Sequence, residues 1–411
     1  MARGWADRRG VLRPGAARQR LFAAGTLVVA GAAAVLGFAA GCRDGAPEPE
    51  AVRPAIAVGD ATCLGCHQDK ASYEATAHRR TSALPTARTI AGSFRDGENV
   101  VRTADPGIFY RLHADAAGFH QTAVVAHGAD TTRRTERIAY VVGSGRRGQS
   151  YAYWAGDRLY QLPISYWTNL GRWTMSPGAG YGDGPPNFER GMAPRCLECH
   201  ATWFEGLPEL GVVNRFRPAG AMLGVTCERC HAAGREHVAR ERSVLHALRA
   251  PAVVNPARLT RDRQVEACAQ CHGGLRPPVA PAFTYVAGQP LDAYFASLPS
   301  TDGAVDVHGN QVALLARSRC YQASQMSCQT CHDVHATRRD PVALSGRCVT
   351  CHTEQRCGLY PTRGRALLGR CVDCHMPVQL SQSVVSASGG QAARIPIRSH
   401  WIRVYPGTGG H

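Results

Sequence analysis

Fourteen of the seventeen cysteines stand in seven copies of one short pattern, Cys-x-x-Cys-His. The copies are Cys63–Cys66–His67, Cys196–Cys199–His200, Cys227–Cys230–His231, Cys268–Cys271–His272, Cys328–Cys331–His332, Cys348–Cys351–His352 and Cys371–Cys374–His375. Two thiols three positions apart can bond to one porphyrin edge, and the imidazole directly behind them can reach its iron. Zinc sites also use Cys-x-x-Cys pairs, but they do not require a His behind every one. A disulfide scaffold would show less regular spacing and no attached His. The repeats therefore predict seven covalently attached haem c groups, each with one axial histidine from its own motif.

The opposite axial positions need other residues. Ten further histidines are present, and reach restricts them. Two axial nitrogens lie about 4 Å apart across the iron, at roughly 2 Å each. Their backbones must be well separated, whereas residues three apart on a helical turn are only about 5 Å apart. His335, three positions after His332, is therefore expected to serve a neighbouring haem. The same reasoning applies less strictly to His237, six positions after His231, and assigns His78 to a distant haem. His78, His237, His335 and His400 are the leading second ligands. His120 and His308 are further candidates, and Met326 and Met376 are alternative thioether ligands.

Three cysteines remain: Cys42, Cys320 and Cys357. Six arginines precede an apolar run from Leu21 to Gly41, the pattern of a secretory signal or a membrane anchor. Ala39-Ala40-Gly41-Cys42 also fits a lipidated cysteine, so lipoprotein, uncleaved anchor and ordinary cleavage stay open. Each implies an exported protein, periplasmic or on the outer face of a bacterial membrane. There unattached thiols tend to pair, which predicts a Cys320–Cys357 disulfide.

The net charge of +16 suggests a nucleic-acid ligand only until the cofactors are counted. Without residues 1–41, 41 basic and 30 acidic residues remain, a net +11. Fourteen propionates and seven ferric cores would bring this to roughly +4 when oxidised and −3 when reduced. Nucleic-acid binding is thus not expected. All the basic residues but Lys70 are arginines, which suit bidentate pairing with propionates.

Around these residues the chain divides into a signal or anchor (1–41), a Pro-, Ala- and Glu-rich tether (42–58), a first haem segment (59–94), a β-rich insertion (95–190), a six-haem region (191–405) and a tail (406–411). In the insertion, runs such as Ile138–Val142 and Tyr151–Trp154 have the residue types of strands, with an expected aromatic surface near Tyr153, Trp154, Tyr166, Trp167 and Trp173. Gly143-Ser-Gly145-Arg-Arg-Gly148 matches a dinucleotide fingerprint in letters. It lies between two strand-like runs, however, and reads as a hairpin turn. Beyond residue 190 the first cysteines of successive motifs are 31, 41, 60, 20 and 23 residues apart. That leaves room for a short helix and a loop per haem. The fold class expected is a multihaem cytochrome c: mainly short α-helices and irregular chain around stacked haems, with a small antiparallel β insertion.

Several runs resemble exported bacterial multihaem cytochromes of the cytochrome c554-like and doubled-CXXCH families. They are Val225–His231 with Arg235–Val238, Val254–Arg258 with Ala267–His272, Cys328–His335, and Cys371–Pro377. The resemblance implies electron transfer through closely packed, mostly bis-His haems, with His237, His335 and His400 as ligands. It also matches Cys320 and Cys357 to paired-cysteine positions. The function expected is electron transfer between redox partner proteins, with membrane attachment through the N-terminus and no nucleic acid. The alternative is a multihaem reductase or oxidase acting on small nitrogen or sulfur compounds at one haem with an open axial position.

Overall fold

The structure is a computed structural model that describes residues 50–178, 180–244, 252–297, 310–337, 340–388 and 391–406. The leader, Cys42 and His308 lie outside the described residues.

Ten antiparallel strands run between Ser82 and Met175. They are β1 (Ser82–Ala83), β2 (Val100–Arg102), β3 (Ile108–Asp115), β4 (Gly118–His127), β5 (Asp130–Arg137), β6 (Tyr140–Val142), β7 (Gly148–Ala155), β8 (Arg158–Gln161), β9 (Ile164–Trp167) and β10 (Arg172–Met175). One sheet has the order β2-β3-β4-β5. The other runs β1-β6-β7-β9-β10, with β8 also paired to β7. Two small sheets follow, β11 (Ala201–Trp203) with β12 (Met222–Leu223), and the hairpin β13 (Val378–Ser388) with β14 (Gln391–Arg398).

The two large sheets share one core. Period-two alternation puts Tyr110 and Leu112 of β3 on the buried face. They meet Val141, Tyr151, Tyr153, Ile164, Trp173 and Met175 from the six-stranded sheet. A fully buried Gln121 ties the sheets together. Its amide donates to the Ile164 carbonyl at 2.8 Å and accepts from the Ile164 amide at 3.1 Å. Such buried amides are tolerated because both ends are satisfied.

This architecture corrects the expected fold class. Helix and strand are equally represented, at 26% each, and the strands build four sheets of up to six strands. The β structure is therefore not a small insertion in a mainly helical chain. The reason is that the sheet region carries its own hydrocarbon core and does not depend on cofactors for burial. The expected aromatic surface is likewise largely core, since Tyr153, Trp167 and Trp173 are buried between or beneath the sheets. The Gly143–Gly148 run joins β6 to β7, which pair antiparallel. Gly143 has φ 111°, and a Cβ there would stand 2.7 Å from the Gly148 carbonyl oxygen. Both constraints call for glycine.

The helices are short. Those used below are α1 (Asp60–Cys66), α2 (Pro194–Glu198), α3 (Cys227–His231), α4 (Arg235–Glu241), α5 (Arg261–His272), α6 (Gln311–Ala316), α7 (Arg319–Gln322), α8 (Pro341–Cys348), α9 (Tyr360–Arg363) and α10 (Cys371–His375). Helix α8 starts on Asp340, whose carboxylate accepts from the Val342 and Ala343 amides, with Pro341 in the first turn.

Candidate haem-binding cavity

Each motif is set on or beside a helical turn. Cys66 closes α1, Cys196 lies in α2, and Cys268 and Cys271 lie in α5. Cys348 ends α8, while α3 and α10 are themselves the third and seventh motifs, and Cys328 begins a 3-10 turn. A helical turn brings positions i, i+3 and i+4 to one side, so a Cys-x-x-Cys-His run presents both thiols and the imidazole together.

These turns surround a single cavity of about 3100 Å³. It is several times larger than the roughly 300–1,000 Å³ typical of a small-ligand pocket. Every motif cysteine and histidine except Cys196 lines it, as do His78, His237, His335 and His400. The β6–β7 hairpin, including Arg146 and Arg147, forms part of the wall. The sheet region thus takes part in the site, a contribution that motif spacing alone does not reveal.

Four pairs of imidazoles face each other across this cavity. His67 and His237 have ring centres 6.3 Å apart with planes 16° from parallel. For His231 and His335 the values are 6.1 Å and 19°, and for His332 and His400 they are 6.1 Å and 31°. His78 and His272 are 6.0 Å apart at 72°. Each pair joins one motif histidine to one outside the motifs. An iron bound at roughly 2 Å on both sides sets the nitrogens about 4 Å apart and the ring centres about 6 Å apart. The pairs fit that span. His335 faces His231 and not its sequence neighbour His332.

Hydrogen bonds aim several of the rings. His231 Nδ1 donates to the Val254 carbonyl at 2.7 Å, and His375 Nδ1 donates to the Arg403 carbonyl at 2.9 Å. A carbonyl can only accept, so Nε2 of each ring carries the free lone pair that a metal needs. His200 Nδ1 lies 2.9 Å from Thr81 Oγ1, and the His200 carbonyl accepts from Ser82 Oγ at 2.6 Å. These partners are distant in sequence and carry no motif.

Buried acids fix the backbones. Glu228, 2% exposed, accepts from the amides of Val58, Gly59 and Gly234, and so ties the start of the first haem segment to the third motif. Glu198, equally buried, accepts from the Phe283 amide at 2.8 Å, with Arg195 at 3.7 Å. Thiols from different motifs also meet: Cys63 with Cys227, Cys199 with Cys271, and Cys268 with Cys328. Burial pushes the Cys348 thiol up to about 11, with Cys371 and Cys331 adding to the shift.

Three expectations need correction or relocation. All sixteen described cysteines are free thiols, Cys320 and Cys357 included, so the expected disulfide is not formed. Cys320, on α7, lies instead within electrostatic reach of Cys331 and Cys348, and Cys357 lies within reach of Cys371. Among the described residues, no helix is long and apolar enough to cross a membrane. The expected anchor falls in the leader and is not among them. Finally, the compact group of three potential metal ligands among the described residues is His113, Asp115 and His120, not a set drawn from the motifs. His120 sits on β4 and does not line the cavity.

Residues 183–232, which hold the second and third motifs, match the family model described as cytochrome c554 and c-prime. No curated protein and no solved structure matches the chain. Over that segment, the chain is similar to a cytochrome c family.

Proposed function

We propose that this chain is an exported seven-haem c-type cytochrome that passes electrons between redox partner proteins. The carrying observation is the set of four facing imidazole pairs at 6.0–6.3 Å inside one cavity lined by the motifs. Haem c supplies reversible one-electron chemistry at its iron.

The protein's own residues bind, orient and enclose. The fourteen motif cysteines would hold the porphyrin edges, and each of the seven motif histidines would ligate one iron. His78, His237, His335 and His400 would be second ligands at four irons. The carbonyls of Val254 and Arg403 keep His231 and His375 in the tautomer that ligation requires. At those four irons two imidazoles would leave no place for a substrate, which favours carriage there. The exported location, periplasmic or at the outer face of a bacterial membrane, rests on the leader sequence. Electron-transfer encounters of this kind bury small surfaces and are transient.

Electron paramagnetic resonance of the oxidised protein, with haem counted by pyridine haemochrome, tests the reading. Seven haems per chain are expected, with low-spin signals from the four irons flanked by two imidazoles. A stoichiometric high-spin signal that responds to nitrite or cyanide would replace the carrier with the reductase or oxidase reading, and a haem count near zero would remove both.

A further inference from the structure

On the outer face of the four-stranded sheet, away from the cavity, the β3–β4 hairpin gathers a second kind of chemistry. His113 and Asp115 are two apart on β3 and therefore project to the same side. His120 of β4 is the direct cross-strand partner of His113, and such partners have Cβ atoms about 4.5–5.5 Å apart. The two rings stack with centres 5.0 Å apart and planes within 18°. Asp115 is fixed by its turn: Oδ1 accepts from the amides of Ala117 and Gly118 at 2.8 and 3.1 Å. Its Oδ2 lies 3.6 Å from His120 Nδ1.

His120 is 9% exposed, and its Nδ1 is buried without a hydrogen-bond partner. A buried nitrogen without such a partner is costly in a native structure and calls for a ligand. One ligand atom from each of the three residues falls within 4.8 Å of the other two. Asp115 is exposed and His113 partly so, which gives an ion a path of entry. Arg111 and Arg137 occupy the same face beside the cluster, His120 pairing with Arg137 across β4 and β5. Their positive charge opposes a bound cation, and the Asp115 carboxylate together with an anion in the remaining position would offset it.

We propose that His113, Asp115 and His120 form a binding site for a divalent transition-metal ion of the zinc class, distinct from the haem irons. Two imidazoles and one carboxylate are donors this class accepts, with solvent completing the shell. The full-length protein, loaded with its haems, is incubated with zinc chloride, passed through gel filtration and assayed for zinc and iron together.

The wild type is expected to retain one zinc per chain more than His113→Ala or Asp115→Asn, with at least tenfold weaker zinc affinity in both variants by calorimetry. His127→Ala, on the same hairpin, should bind as the wild type does. Circular dichroism checks that each variant is folded, and Asp115→Asn, at an exposed position, keeps the test sound if His113→Ala disturbs the sheet. Equal zinc affinity in wild type, His113→Ala and Asp115→Asn would overturn the site, as would no retained zinc in the wild type.

Discussion

In the sheets, Tyr110, Leu112, Tyr151 and Ile164 are fully buried, whereas helices α1 and α4 bury no side chain at all. The first region closes around hydrocarbon that its own strands supply. The second is arranged around a cavity of about 3100 Å³ faced by cysteines and histidines. Native interiors are close-packed, and a cavity of this size is the opposite of such a core. The contrast teaches that one chain uses two sources of cohesion, and that only one of them is encoded in side-chain packing.

The largest test separates the regions outright. A chain produced without haem attachment should keep slow amide exchange in β3, β4 and β7 while the segments around residues 60–80 and 328–376 exchange freely. Equal protection in both regions would break the comparison. Next in size, Ile164→Ala removes a fully buried side chain from the shared core and should cost about 2–5 kcal/mol in denaturant unfolding followed by circular dichroism. The haem spectrum should not change. Glu228→Ala leaves three backbone amides unanswered where the two haem segments meet, and should cost about 1–3 kcal/mol. The smallest stability effect is expected from His335→Ala. It should retain the full haem count and convert one low-spin centre to high spin, read by electron paramagnetic resonance.

The parts of this molecule legible in its sequence are those set by short-range geometry. The seven motifs are local, and so is the turn at Gly143–Gly148. The separation of His335 from His332 follows from helical spacing; in the fold the His335 ring lies 6.1 Å from that of His231. What sequence could not supply was set by pairing at a distance. Strand β5, Asp-Thr-Thr-Arg-Arg-Thr-Glu-Arg, is almost wholly exposed and shows no apolar alternation. It exists because β4 offers it a complete ladder of backbone partners. The Ser-rich hairpin β13–β14 is similar, and it docks on β10 through Ser386, which donates to the Met175 carbonyl and so accepts from Thr174 Oγ1. Glu228 and Glu198 look like solvated charges within their motifs; only the folded chain brings the amides that they answer.

The facing histidines also order events in time. No pair is closed by neighbouring residues: the partners are His67 with His237, His78 with His272, His231 with His335, and His332 with His400. A chain emerging amino end first completes these pairs in that order, each only when its later member arrives. The first motif to appear therefore waits for about 170 further residues, and the fifth stays half-formed until His400 is in place. With one iron joining each pair, as proposed, maturation would be a sequence of deferred closures, and a premature stop before residue 400 would strand one pair while leaving three able to form.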